Sequence, residues 1–109
     1  MVKVSAIWNN PQTAQLTEVL CLIDDARLMK DFLGDLLTQK EIIEISARLR
    51  AAQMLLDSKT YNEIAMETGL SSRTIARISD WLQNGTSGYR SVIGLLAEHH
   101  THIPPANAA

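Results

Sequence analysis

Cysteine occurs once among the 109 residues, so no internal disulfide can form and a small disulfide-stapled secreted domain is excluded. That thiol, Cys21, lies among Val19, Leu20, Leu22 and Ile23, which predicts a buried structural side chain in a reducing compartment rather than a nucleophile or a ligand. Long apolar runs are missing too. Nothing approaches the ~20 residues that span a bilayer, and the opening Met-Val-Lys-Val-Ser-Ala-Ile-Trp-Asn-Asn has no signal-peptide core. A cytoplasmic location is therefore expected. There is no glycine-rich phosphate loop, no histidine before His99, and no acidic pair that stands apart from solvated helix faces. Neither an enzyme nor a cofactor is expected. His99, His100 and His102 cluster near the end with only Glu98 beside them, too thin a donor set for a metal site.

What the chain does have is enough apolar residues for a core, 46% by composition, and a size that fits one domain. Its net charge of −2 is unevenly spread. Between residues 71 and 90, Arg73, Arg77 and Arg90 stand against Asp80 alone, while every other stretch is net negative. Positive charge concentrated in this way suits a surface that meets nucleic acid. So sparse a patch offers few phosphate contacts, and useful affinity would need two subunits.

Residues 1–11 lack periodicity and read as a flexible arm, followed by a helical domain over 12–98 and a disordered tail over 99–109. From Gln12 to Leu37 apolar residues recur at helical spacing, with Gly34 and Asp35 as the expected break. A longer helix begins at Thr38, where Thr-Gln-Lys-Glu forms a capping box with Glu41, and runs to about Asp57. Its apolar surface is broader than one stripe, which predicts a core shared with a second copy.

Residues 60–83 carry the most specific pattern, that of a helix-turn-helix. Thr60 and Glu63 make a second capping box, and Ser71 caps the following helix. Ala65 falls where two helices cross closely, and Gly69 falls in the turn, where positive φ is least costly. Ile64, Leu70, Ile75 and Ile78 face inward. In this motif the start of the second helix approaches base edges, so Ser71, Ser72, Arg73, Thr74 and Arg77 are the candidate DNA-contacting residues. Gly85 is the natural C-cap of that helix, and a last helix is expected from about Ser87 to Glu98.

Residues 37–96 resemble the tryptophan-repressor family, in particular its YerC/YecD-type branch. The resemblance rests on Leu37-Thr38-Gln39-Lys40-Glu41, Arg48, Met54-Leu55-Leu56, Tyr61-Asn62-Glu63-Ile64-Ala65, Thr74-Ile75-Ala76-Arg77 and Asn84-Gly85-Thr86-Ser87-Gly88-Tyr89. It implies an all-α fold of about six helices and an intertwined homodimer that reads a double-stranded operator, most often as a repressor. It also implies a ligand site, with Arg48 and Arg77 matching the arginines that sandwich an indole and Thr38 matching a carbonyl donor. Tryptophan-binding members have Gly after the second arginine and Ser three positions further on. This chain has Ile78 and Trp81, which predicts no room for tryptophan and leaves any effector a different small molecule. The competing expectation is an interaction module that uses the fold without reading DNA.

Overall fold

Asn10, Asp25, Thr38, Thr60 and Ser71 punctuate the chain, each at the start of a helix. The structure is a computed structural model that describes residues 4–102, with the side chains of 6–99. Among the described residues there are six α-helices and no strand: α1 (Pro11–Leu22), α2 (Ala26–Leu36), α3 (Gln39–Leu56), α4 (Tyr61–Thr68), α5 (Ser72–Asn84) and α6 (Gly88–His102). Two compact units divide the chain between Ile42 and Ile43, within α3.

The first unit opens with a 3₁₀ helix, Val4–Asn9, inside the stretch read as an arm. Thr13 ties it to α1 by donating its hydroxyl to the carbonyls of Ile7 and Asn10. Asn10 accepts from the Gln12 N–H at 2.8 Å, and Pro11 occupies the first turn, where a missing N–H costs nothing. The break in the 12–37 stretch lies at 23–25, not at Gly34 and Asp35. Asp25 is extended and accepts from the Leu28 N–H at 2.9 Å, so it starts a new helix, whereas Gly34 lies inside α2. No side chain of α1 or α2 is buried. Cys21 is exposed rather than buried, on a helix none of whose side chains is buried.

In the second unit, α3 ends in a Schellman turn. Ser58 sits at φ 62, and the Lys59 and Ser58 N–H groups donate to the Met54 and Leu55 carbonyls, each at 3.0 Å. The buried core comprises Ala51, Ala52, Met54, Ile64, Ile75, Ile78 and Leu82, drawn from α3, α4 and α5. Leu70, Ala65, Tyr89 and Ile93 pack around it. Ala51 and Ala52 are fully buried in that core. α6 runs to His102, four residues beyond the Glu98 end expected from periodicity. The tail over 103–109 and the side chains of His100 and His102 lie outside the described residues.

Candidate nucleic-acid interface

The α4–α5 pair is a helix-turn-helix whose geometry is set by four local contacts. Thr60 accepts from the Glu63 N–H at 3.1 Å while Glu63 accepts from the Thr60 N–H at 2.8 Å. These bonds to Thr60 hold the Glu63 carboxyl below its ordinary pKa, as Thr38 does for Glu41. α4 ends at Gly69, φ 74, whose N–H donates to the Ala65 carbonyl. Ser71 then accepts from the Thr74 N–H at 3.2 Å and starts α5. Arg50 of α3 pairs with Glu67 of α4, fastening the first helix of the pair to the core helix.

Ile75, Ile78 and Leu82 turn α5 inward. The opposite side exposes Ser72, Arg73, Ala76, Arg77 and Asp80. Ion pairs join Arg48 to Glu44 and Arg50 to Glu67, whereas the guanidinium groups of Arg73 and Arg77 have no acidic partner among the described residues. Arg73 lies in the first turn of α5, where the helix dipole adds positive potential, and Arg77 one turn further on. Asp80 is a turn further on and accepts from Asn84 at 2.8 Å. Of the five residues expected to meet DNA, Ser71, Ser72, Arg73 and Arg77 are exposed at this end; Thr74 is half-buried, its hydroxyl accepting from Ser71.

Behind this face lie two adjoining cavities. The smaller, about 270 Å³, is lined by Arg48, Thr74, Arg77, Ile78, Trp81 and Tyr89. The two arginines matched by the family resemblance therefore border one space, and so do the two bulky residues. Arg48 is half-exposed and paired with Glu44 at 3.2 Å across one turn of α3. Thr38 belongs to the first unit, where its side chain completes the α3 capping box and its carbonyl accepts from the Ile42 N–H at 3.0 Å. The larger cavity, about 600 Å³, has Ile45, Leu49 and Val92 as apolar lining and shares Arg48, Trp81 and Tyr89 with the first.

Tyr89 is the residue that sequence reasoning did not assign to this site, and Gly85, read as the C-cap of the second helix, has a further role. Tyr89 borders both cavities, and its only signal was its place in the 84–89 segment of the family resemblance. Gly85 does cap α5, but not through positive φ, since its φ is −88. A Cβ there would lie 2.5 Å from the Trp81 carbonyl oxygen and 3.0 Å from its ring, so the residue must be glycine for the chain to pass Trp81. Arg90 closes the same corner by donating to the Leu82 carbonyl at 3.0 Å.

An all-helical chain with a capped helix-turn-helix and a cationic outer face on its second helix defines the class. The chain belongs to the Trp repressor protein family, whose sequence model matches residues 12–96, a family of DNA-binding regulators. It is 33% identical over 87 residues to the uncharacterized protein YerC of Bacillus subtilis, covering 80% of this chain and 84% of that one. The crystal structure of a TrpR-like protein from Eubacterium eligens superposes with a TM-score of 0.80 at 33% identity, covering 84% of this chain and 95% of the other. That of a candidate Trp repressor from Staphylococcus aureus gives 0.81 at 26% identity, covering 89% and 96%.

Proposed function

We propose that the protein is a sequence-specific DNA-binding transcription regulator, a repressor, that acts in the cytoplasm as a homodimer on a two-fold symmetric operator. The observation that carries this reading is the exposed first half of α5, where Arg73 and Arg77 stand on a rigid capped helix with no acidic partner among the described residues. Arg73 can donate two hydrogen bonds to a guanine edge, and the N-terminal N–H groups of α5 suit a phosphate oxygen. The dimer is supported by the burial pattern. Among the described residues every buried side chain falls between residues 51 and 82, while Leu22, Leu28 and Ile43 are 76%, 53% and 69% exposed in one chain.

Mobility of a random-sequence duplex pool on a gel at rising salt tests the reading. Binding should weaken steeply with salt, because phosphate contacts release counterions. Absence of any salt-dependent shift would turn the reading into that of an interaction module.

Tryptophan is not the effector in this reading. The space bordered by Arg48 and Arg77 has Ile78 and Trp81 in its wall, where the tryptophan-binding members have Gly and Ser. Calorimetric titration with L-tryptophan at millimolar concentration should give no heat of binding. The Ile78→Gly, Trp81→Ser double variant is the form expected to recover some. Wild-type binding with a matching gain in operator affinity would return the protein to the amino-acid-sensing members.

A further inference from the structure

The outward side of the first half of α5 carries one apolar group, Ala76, among its charged and hydroxyl-bearing neighbours, with the exposed Trp81 a turn beyond. Ala76 is exposed, flanked by the exposed Arg73 one turn before it and Arg77 directly after it. Its methyl group packs against nothing in the core, which α5 meets through Ile75, Ile78 and Leu82. Thr74, whose side chain also ends in a methyl, is half-buried and has its hydroxyl in the cap, so it does not compete for the same contact.

The major groove likewise has one apolar feature, the C5-methyl of thymine, and an alanine methyl is one of the groups that meets it. Three residues of α-helix advance about 4.5 Å, against ~3.4 Å per base pair. An arginine and an alanine three apart on the outer face can therefore address the same or a neighbouring base pair.

We propose that Ala76 is a specificity-determining residue that reads a thymine methyl within two base pairs of the guanine bound by Arg73. This rests on the DNA-reading function proposed above. Each half-site would then pair a guanine with a nearby thymine, a combination that Arg73 by itself does not select.

Selection of bound duplexes from a random pool by the full-length dimer comes first, and should return a guanine with a thymine within two base pairs in each half-site. Replacing that thymine by deoxyuridine removes only the methyl and should weaken binding about fourfold per half-site, the equivalent of exposing one methyl group. Ala76→Gly should bind thymine and deoxyuridine duplexes alike. Because glycine weakens a helix, Ala76→Ser repeats the comparison with the helix intact, and circular dichroism checks both folds. Equal wild-type affinity for the two duplexes, or a fourfold loss that persists in both variants, overturns the assignment while leaving DNA binding standing. Failure to select any sequence removes the DNA-reading function itself.

Discussion

Arg73 and Gly85 are the two single residues on which the α5 region depends most, for opposite reasons. Arg73 is exposed with no ion-pair partner among the described residues, so its removal should leave the fold intact. Arg73→Ala should relax sequence preference by about 1–3 kcal/mol of discrimination at one position, read from competition between selected and scrambled duplexes. Ser71→Ala instead removes the α5 cap, costing about 1 kcal/mol of stability and lowering affinity for all sequences alike. A folded Arg73→Ala dimer with unchanged preference would place the reading surface elsewhere. Gly85 acts through volume. Any side chain there meets the Trp81 carbonyl at 2.5 Å, so Gly85→Ala should destabilise by about 1–3 kcal/mol in thermal unfolding. A shift in Trp81 emission, measured in a Trp8→Phe background, should accompany it.

At the scale of elements, the helix starts are tied to carboxylate charge. Thr38 and Thr60 each form a capping box, and the bonds they donate hold Glu41 and Glu63 below their ordinary pKa. Because the folded chain retains these charges to lower pH than the unfolded chain does, the stabilisation is complete above the ordinary carboxylate range. It is lost as pH falls through the depressed folded values. Thermal unfolding of wild type should therefore decline on acidification, and the Glu41→Gln, Glu63→Gln double variant should show a shallower decline. Thr60→Ala should cost about 1 kcal/mol at neutral pH. The turn between α4 and α5 needs positive φ at Gly69, φ 74, which glycine adopts at least cost.

For the molecule as a whole, the question is what covers the large apolar side chains that one chain leaves exposed. Leu16, Leu22, Leu28, Leu36, Ile43 and Ile45 are all more than a third exposed in one chain. Water contact over so many apolar groups is costly, and a second copy is the partner that the proposed dimer supplies. Analytical ultracentrifugation should find a stable dimer at micromolar concentration with no folded monomer. Leu22→Glu or Leu28→Glu should dissociate or unfold it. In the dimer the two α5 helices are expected to engage half-sites about 34–36 Å apart, a spacing that half-site insertions in a selected operator would check. A folded monomer of undiminished helicity would contradict the shared core.

The helices from α3 to α5 were legible in the sequence because their signals are local. A capping Thr or Ser with Glu three residues on, a turn glycine, and isoleucines at helical spacing act within a few residues of one another. Structure and sequence agree at Thr60, Gly69, Ser71, Ile64 and Ile75 for that reason. The end of α1 was misread because the cue at Asp25 competes with an unbroken apolar period, and only the backbone shows the chain turning at 23–25. Cys21 was misread because burial depends on what lies across from a helix, which periodicity does not record. The cavities beside Arg48 and Arg77, the place of Tyr89 in both, and the approach of Gly85 to Trp81 all join residues from separate helices. Short-range chemistry thus determined where helices start and which side of α5 turns inward. Tertiary packing alone decided how much space remains behind it, because that space is the volume left between side chains far apart in the chain.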